Sequence, residues 1–481
     1  MGKFDKLYAA LPVWAQNGGI NAYAMYWHWL RFGPGYRTWL TDFREREQWD
    51  PARWQAYLRS RVATFLRAAS ENVPYYASTW TAREKQAAAA GRLQELPLLG
   101  KEPLRSNAEA FIRRDLDSRG KLVFHTSGST GTPIASIWSR HELRGSLALR
   151  EVRSLNWAGV SFRMPRATFS GRMVEPDPAS KGPFYRFNRV EGQVYFSAFH
   201  LRAETAPNYV AALHRHRIQW MTGYAVSYYL LAKLILEQNL AVPPLKAIVT
   251  TSEKVTPEMR QVMERAYRCR VFEEYSTVEN AVFASACPHG RLHVSEDAGI
   301  VEILRPDGTA CAPGEPGEVV ATCLLRDLQP LVRFRLGDMA EWDAEPCPCG
   351  RHLPVLKEVI GRIEDVVIGE GGRRLVRFHG IFTDQPHVRE GQIVQETLDR
   401  IRVKVVPTPG FGSDDIANIV ARMRQRVGAS LEILVEPVER IPRTKAGKFQ
   451  AVVSLLPRGA NAVAETTGLA PADGTAGAPC N

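Results

Sequence analysis

The stretch Phe124-His-Thr-Ser-Gly-Ser-Thr-Gly-Thr-Pro133 gives the strongest indication of the fold. A run of β-forming residues leads here into a loop of small and hydroxylated residues that contains Gly128 and Gly131. Glycines let backbone N–H groups approach a polyphosphate, and the hydroxyl groups beside them add further donors. The loop lacks the lysine of the Gly-x-x-x-x-Gly-Lys-Ser/Thr motif, so a plain surface turn is the alternative at this point.

On both sides of this loop, strand-like and helix-like segments alternate from about residue 120 to residue 345. Strand patterns lie at 121–124, 247–250 and 317–322, and helix patterns lie at 206–214 and 257–267. Alternation of this kind predicts an α/β architecture. At 481 residues the chain is also too long for one compact core, so more than one domain is expected.

The C-terminal part predicts a smaller α+β unit. Two strands are expected at 392–397 and 402–406, and a further strand at 431–438. Between them lies an amphipathic helix, for which Ser413 is the expected N-cap. Gly428 is placed to end this helix.

These patterns divide the chain into three parts. We expect a large N-terminal domain at 1–361, a small mobile domain at 362–456 and a disordered tail at 457–481. The tail consists mainly of Ala, Gly, Thr and Pro, so it cannot bury enough apolar surface to offset the entropy of ordering.

Composition narrows the class of protein further. The formal net charge is +11, which suits anionic ligands without choosing between nucleotides, nucleic acid and a membrane surface. No stretch approaches the roughly 20 apolar residues of a membrane span. Seven cysteines in so long a chain do not make a disulfide framework, so a reducing, cytoplasmic location is expected.

Five motifs occur in an order that resembles the adenylate-forming superfamily, which includes acyl-CoA synthetases, peptide-synthetase adenylation domains and luciferases. Thr126-Ser-Gly-Ser-Thr-Gly131 resembles its phosphate loop. The others are Glu274-Tyr-Ser-Thr-Val-Glu279, Val332-Arg-Phe-Arg-Leu-Gly-Asp338, the hinge-like Gly361-Arg-Ile-Glu-Asp365, and Ile441-Pro-Arg-Thr-Lys-Ala-Gly-Lys448. Each motif is weak alone, but their shared order is specific.

Within that superfamily the chain most resembles phenylacetate–CoA ligases and their capsule-biosynthesis relatives. The supporting segments are Asn72-Val-Pro-Tyr-Tyr76, Gly223-Tyr-Ala-Val-Ser227 and Cys347-Pro-Cys-Gly-Arg351. The resemblance covers most of residues 50–455. It implies a large, multi-subdomain adenylate-forming domain followed by a small mobile C-terminal domain.

The resemblance also implies roles for individual residues. Glu279 would bind Mg²⁺, since a hard cation prefers carboxylate oxygen. Tyr275 would stack on adenine, with Ser252 and Glu253 on its other side, and Asp338 would accept both ribose hydroxyls.

The same family likeness assigns the phosphate contacts. Arg362 would contact phosphate, and Lys448 on a mobile loop would bind substrate carboxylate and phosphate oxygens together. The nucleotide-binding set is completed by Thr126, Ser127, Gly128, Ser129, Thr130, Gly131, Ser276 and Thr277.

A second group of residues predicts a structural zinc site. The group consists of Cys287-Pro-His-Gly-Arg-Leu-His293 and, further along the chain, Cys347-Pro-Cys349. Together the two segments offer three thiolates and an imidazole for a tetrahedral site. The family resemblance assigns Cys287, His293, Cys347 and Cys349 as ligands. His289 is the competing fourth ligand, and reduced cysteines without a metal are the alternative.

These interpretations combine into one expected activity. ATP would activate a carboxylic acid, with an aromatic acid as the family default, and release pyrophosphate. The resemblance alone, without a coenzyme A motif, implies that coenzyme A then accepts the acyl group. Tyr224 and Ala225 would line the acid pocket. The alternatives are transfer to an amine or carrier-protein thiol, or a nucleotide-binding protein without catalysis. No nucleic-acid partner is expected, and a homodimer is compatible with the sequence.

Overall fold

The computed structural model of the chain describes residues 11–126, 134–170, 174–175, 180–362, 367–370, 374–375, 378–382, 385–443 and 449–456. Backbone contacts divide the chain into a larger unit, Met1–Ile363 with Pro442–Phe449, and a smaller unit, Glu364–Ile441 with Gln450–Asn481. The predicted tail, 457–481, lies outside the described residues. The movement of a small domain as a separate body stays a prediction.

Most helices belong to the larger unit. In the described residues they are α1 (Val13–Phe32), α2 (Tyr36–Arg46), α3 (Pro51–Asn72), α4 (Pro74–Thr79), α5 (Ala82–Ala89), α6 (Lys101–Ser106), α7 (Arg140–Arg150), α8 (Ala206–Arg215), α9 (Ala225–Glu237), α10 (Pro257–Tyr267) and α11 (Ser413–Val427). Helix α7 continues into the π-helical turn Glu151–Leu155. Short 3₁₀ turns occur at Leu93–Glu95, Ala108–Phe111 and Phe378–Ile381.

The strands form one large sheet, one small sheet and two hairpins. They are β1 (Leu122–His125), β2 (Ala135–Trp138), β3 (Arg166–Phe169), β4 (Tyr185–Asn188), β5 (Gln193–Phe196), β6 (Trp220–Tyr224), β7 (Ala247–Thr251), β8 (Arg270–Ser276), β9 (Phe283–Ala286), β10 (Leu292–Val294), β11 (Ile300–Leu304), β12 (Pro316–Thr322), β13 (Phe334–Trp342), β14 (Val355–Arg362), β15 (Val367–Ile368), β16 (Arg374–Leu375), β17 (Val388–Gln395), β18 (Arg400–Pro407), β19 (Glu432–Pro437) and β20 (Val452–Ser454).

The large sheet mixes parallel and antiparallel strands. Its order among the described residues is β11-β12-β13-β14-β10-β9-β8-β7-β6-β3-β5-β4. Strands β8, β7, β6, β3 and β5 pair in parallel, and the remaining pairs are antiparallel. Every residue of β6 is buried, as expected for a parallel strand whose sheet is covered on both faces. The predicted α/β class is confirmed.

The smaller unit has a sheet of order β19-β18-β17-β20 with α11 packed on it. The buried stripe of α11 is Ile419, Met423 and Val427, spaced by one helical turn. Gly428 ends the helix at φ 115°, as predicted. The predicted N-cap is wrong by one residue: Gly412 caps the helix, and its N–H donates to the Asp415 carboxylate (2.9 Å).

Helix α1 covers the open edge of the large sheet, where β4 has no further strand beside it in the described order. Phe187 donates its backbone N–H to Asn17 Oδ1, and its carbonyl accepts from Asn21 Nδ2 (both 3.3 Å). Arg189 N–H donates to Asn21 Oδ1 (2.7 Å). Amide side chains one turn apart therefore pair with the edge strand's free backbone groups. No helix within the described ranges is both long enough and apolar enough to cross a membrane.

A buried ion cluster joins the N-terminal helices to the sheet. Arg153 and Asp297 have fully buried side chains and pair through both carboxylate oxygens. Arg153 Nε also donates to Glu47 (2.8 Å), and Arg46 donates to Asp297 (3.1 Å). Burial alone would raise the pKa of the Asp297 carboxyl, but the two arginines outweigh it and hold that pKa below its usual value.

We expect Asp297→Asn to lower the free energy of unfolding at pH 7 by about 3–5 kcal/mol, because it removes the buried carboxylate with which both Arg153 and Arg46 pair. The carboxylate's contribution is present above its unfolded pKa, so in the wild type it is lost as pH falls below about 4. The variant should lack that part of the acid sensitivity. Urea unfolding followed by circular dichroism at several pH values measures both effects.

The matched control is Asp117→Asn, which removes a carboxylate from an exposed pair with Arg119 and should leave stability unchanged. Equal stability of the Asp297→Asn variant and the wild type at pH 7 would contradict this account of the cluster.

Candidate functional site

A hydrogen bond between Tyr275 and Asp338 forms the centre of the candidate site. The Tyr275 hydroxyl donates to Asp338 Oδ2 at 2.8 Å, and Asp338 is 5% exposed. Tyr275 lies in β8 and Asp338 in β13, which are four places apart in the sheet. In a flat sheet four spacings would separate these strands by roughly 19 Å. The sheet therefore curves strongly enough to bring the two strands together at this point.

The strands around Asp338 show what allows this curvature. Gly337 has φ +72°, a conformation that glycine adopts without strain. The pairing of β13 with β14 shifts register between Met339 and Ala340, and again between Glu341 and Trp342. Such irregularities bend a strand and increase its twist. The sequence placed Asp338 in the site but gave no sign of these shifts.

The segment after Tyr275 brings the predicted magnesium ligand to the same region. Glu279 is buried (6% exposed), whereas Ser276 is exposed. The Thr277 hydroxyl oxygen is buried without a hydrogen-bond partner among the described residues. Unpaired buried hydroxyls are uncommon, so Thr277 has a donor and acceptor available for a ligand.

The ends of β6 and β7 carry the other predicted contacts. Ser252 follows β7 with φ 70°, an unusual conformation for a residue with a side chain. The neighbouring Glu253 accepts from the Val226 N–H at the start of α9 (2.9 Å). Gly223 allows a close approach at the end of β6, since a Cβ there would lie 1.8 Å from the Phe169 carbonyl oxygen. Tyr224 is buried at the N-cap of α9.

Thr126, the first residue of the predicted phosphate loop, is hydrogen-bonded to Ile134, the next described residue after it. Thr126 N–H donates to the Ile134 carbonyl (3.1 Å), and Ile134 N–H donates to Thr126 Oγ1 (3.0 Å). Ser127, Gly128, Ser129, Thr130 and Gly131 lie outside the described residues, as do Lys448 and the hinge residues Glu364 and Asp365; the side chain of Arg362 is likewise not described.

Phe449, the residue after Lys448, contacts Glu253 of the candidate site. The Phe449 N–H donates to Glu253 Oε1 at 3.0 Å, and both residues belong to the larger unit. Glu253 thus accepts from two backbone N–H groups, and its carboxylate binds protein groups in the structure.

An ion pair between Arg150 and the buried Glu274 lies beside Tyr275 and was missed by sequence analysis. Arg150 Nε donates to both oxygens of Glu274 (2.8 and 2.9 Å), and Arg150 Nη2 donates to Thr222 Oγ1 (2.8 Å). The Glu274 side chain is only 3% exposed. The available signal was Glu273-Glu274 inside a strand pattern, because a buried carboxylate needs a partner.

The predicted cysteine–histidine set comes together in space. One ligand atom from each of Cys287, His293, Cys347 and Cys349 lies within 4.8 Å of all the others. The sulfurs of Cys287 and Cys347 are 3.6 Å apart, and Cys349 Sγ is 3.3 Å from His293 Nε2. A tetrahedral zinc site with Zn–S of about 2.3 Å has S···S edges of about 3.8 Å and S···N edges of about 3.5 Å. The donor set therefore fits zinc.

The environment of the histidine suits a metal ligand. His293 Nδ1 lies 3.2 Å from the Leu353 carbonyl oxygen, so it carries the proton and leaves Nε2 facing the sulfurs. Burial lowers the pKa of His293 to about 4, which keeps the imidazole neutral at pH 7. His289, the competing candidate, contacts Cys287 Sγ through its backbone N–H (3.3 Å) and is not in the group. No described cysteine forms a disulfide.

Comparison with known proteins agrees with this architecture. The chain is 26% identical to Protein CapK of Staphylococcus aureus over 380 residues, covering 75% of this chain and 80% of that protein. It is 24% identical to phenylacetate-coenzyme A ligase of Escherichia coli over 436 residues, covering 83% of this chain and 94% of that enzyme. Over most of its length the chain thus resembles proteins of the adenylate-forming superfamily.

Two further matches locate the superfamily likeness along the chain. Residues 371–455 match the family model of the CapK C-terminal domain. The crystal structure of 2-hydroxyisobutyryl-CoA ligase in its postadenylation state, in complex with R3-HIB-AMP, has a similar fold with a TM-score of 0.66 at 18% identity. That match covers 87% of this chain and 93% of the other.

We expect Ser252→Gly to stabilise the protein by roughly 0.5 kcal/mol, because relief of about 1 kcal/mol of left-handed strain exceeds the entropy that glycine adds to the unfolded chain. Ser252→Ala is the matched control, since it also removes the hydroxyl but keeps the strain. Urea unfolding compares the three proteins. A glycine variant no more stable than the alanine variant would show that Ser252 is not strained.

Proposed function

We propose that this chain is an ATP-dependent ligase that activates a carboxylic acid as an acyl-adenylate, releases pyrophosphate and transfers the acyl group to coenzyme A. The supporting observation is the Tyr275–Asp338 hydrogen bond, with buried Glu279 four residues further along. These residues support a site that combines an aromatic ring, a carboxylate suited to a ribose diol and a carboxylate suited to a hard cation.

In this proposal Tyr275 binds adenine, and its hydroxyl orients Asp338 toward the ribose. Ser252 lies at the end of the neighbouring strand and borders adenine from the other side, with Glu253 holding the start of α9 in place. AMP binding therefore depends on Tyr275 and Asp338. Thr277, whose buried hydroxyl lacks a described partner, donates to a phosphate oxygen.

The phosphates need positive charge and oriented donors, because the acid and ATP are both anions. Glu279 holds Mg²⁺, which when bound neutralises charge on the phosphate oxygens. The loop from Thr126 to Gly131 supplies backbone and hydroxyl donors, and Arg362 and Lys448 contribute cationic side chains. The contact of Phe449 with Glu253 supports this role for Lys448, since it draws the C-terminal segment to the nucleotide site.

The acid itself lies near the ends of β6 and β8, where Tyr224 and Ala225 begin α9. The pair between Arg150 and the buried Glu274 carboxylate is a polar feature of this neighbourhood. We propose an aromatic acid on the likeness to phenylacetate-coenzyme A ligases. Coenzyme A would react after the small domain turns about Glu364 and Asp365, so that one site serves both half-reactions.

The acceptor has a second candidate. Residues 371–455 match the C-terminal domain of CapK, and in this proposal the acceptor meets the C-terminal domain. The alternative to coenzyme A is an amine or a carrier-protein thiol. Adenylation is the shared first step, so measurement of pyrophosphate release is independent of the acceptor.

The proposal includes a structural Zn²⁺ held by Cys287, His293, Cys347 and Cys349. Four protein ligands leave no open position for substrate, so the ion would tie the turn after β9 to the segment before β14. Burial raises the pKa of Cys347 to about 11, and a bound cation would overcome this by stabilising the thiolate.

We expect Glu279→Gln to abolish most acid-dependent pyrophosphate release, because the magnesium ion loses its anionic ligand while the side chain keeps its shape. AMP affinity should change by less than about twofold, a difference of under roughly 0.4 kcal/mol. The assay screens aryl and aliphatic acids, with and without coenzyme A, and extra Mg²⁺ should rescue only partly.

The wild type provides the control for catalysis itself. No pyrophosphate release with any acid would favour a nucleotide-binding protein without catalysis. Unchanged activity of the Glu279→Gln variant would mean that the metal is bound elsewhere.

For the metal, we expect purified protein to contain about one zinc ion per chain. Cys347→Ser should lower both the zinc content and the melting temperature, with little change in nucleotide affinity. Cys269→Ser, at a cysteine outside the group, is the control and should change neither. Elemental analysis that finds no zinc in protein prepared without chelators would remove the ion from the proposal.

A further inference from the structure

Arg326 is a buried cation that contacts the backbone of Glu279, the proposed magnesium ligand. Its side chain is 1% exposed, and it lies in the connection between β12 and β13. Arg326 Nη1 donates to the Glu279 carbonyl oxygen at 2.7 Å and to Ser136 Oγ at 3.2 Å. Its Nη2 donates to the Ile137 carbonyl oxygen. One guanidinium therefore holds two separate segments of the chain.

One of those two segments contains the proposed magnesium ligand, and the other follows the predicted phosphate loop in sequence. Ser136 and Ile137 belong to β2, which follows the predicted phosphate loop after Ile134 closes on Thr126. Ser136 Oγ in turn donates to the Val278 carbonyl (3.1 Å), next to Glu279. Arg326 and Ser136 together therefore hold β2 against the backbone of Val278 and Glu279.

The energetics of Arg326 favour a role in geometry over a role in stability. Burial lowers the pKa of its guanidinium, and Glu142 opposes this from 3.7 Å without a hydrogen bond to Nε. The Trp138 ring, 4.0 Å from Cζ, adds a cation–π contact. An apolar side chain of similar volume would avoid the cost of desolvating this charge. Such a side chain would lack the planar guanidinium that donates to two backbone carbonyls at once.

We propose that Arg326 is a positioning residue that sets the distance between strand β2 and the proposed magnesium ligand Glu279. This inference rests on the proposed function. It acts through the backbone of Glu279 and through β2, so it should affect binding of the triphosphate with its metal and not binding of adenine and ribose.

The test compares Arg326→Met and Arg326→Lys with the wild type in the full-length chain. Isothermal titration calorimetry measures affinity for AMP, and for ATP with Mg²⁺ and with chelator. We expect Arg326→Met to weaken Mg²⁺-ATP binding by about tenfold or more, since small misplacements at such sites are costly. AMP affinity should stay within about twofold, and Arg326→Lys should be intermediate.

Arg186→Met is the matched control. Arg186 is also fully buried and donates to the carbonyls of Pro183 and Tyr185, but it lies at β4. This variant should lose comparable stability without separating Mg²⁺-ATP from AMP affinity. Equal loss of both affinities in Arg326→Met, or loss of neither, would overturn the inference.

Two outcomes need separate handling. If Arg326→Met does not fold, Ser136→Ala replaces it: a weaker shift in the same direction supports the inference, and no shift overturns it. If the wild type binds Mg²⁺-ATP but releases no pyrophosphate with any acid, the proposed function fails. The binding comparison then still decides the role of Arg326.

Discussion

Curvature of the large sheet is the constraint on which the candidate site depends. Tyr275 and Asp338 meet at 2.8 Å although three strands separate their own strands in the hydrogen-bonded order. A flat sheet would leave the ring proposed to bind adenine and the carboxylate proposed to bind ribose too far apart to serve one nucleotide. The register shifts between β13 and β14 and the left-handed Gly337 supply local bending at Asp338. Backbone irregularity therefore matters as much to this site as side-chain identity.

Much of the fold was predictable because local rules decide it. Helix α3 ends at Asn72 because Val73 precedes a proline and cannot easily stay helical. The apolar stripe and the terminal Gly428 of α11 were equally clear. The pattern of cysteines and histidines indicated a metal-binding group but left His289 and His293 open, and the family resemblance chose His293, which the structure groups with the three cysteines.

Other features depend on contacts between residues distant in sequence, and no local pattern reveals them. Arg326 and Glu279 are 47 positions apart, and their contact is through a backbone carbonyl, which any residue would offer. The Arg150–Glu274 pair spans 124 positions. Even the N-cap of α11 was misjudged by one residue, because Asp415 reaches back to Gly412 where a serine hydroxyl was expected to act. Sequence indicates which groups need partners, but not which partners they find.

The asparagines of α1 have a consequence for how the chain avoids misassembly. Asn17 and Asn21 engage the N–H and C=O of Phe187, the groups through which another strand would otherwise add to β4. Helix α1 thus prevents another strand from pairing with β4. While this helix is still undocked, during synthesis or after proteolytic trimming, the same edge becomes a template for intermolecular β-pairing. The tendency of the chain to aggregate would then depend on how fast the 20 residues of α1 dock on β4.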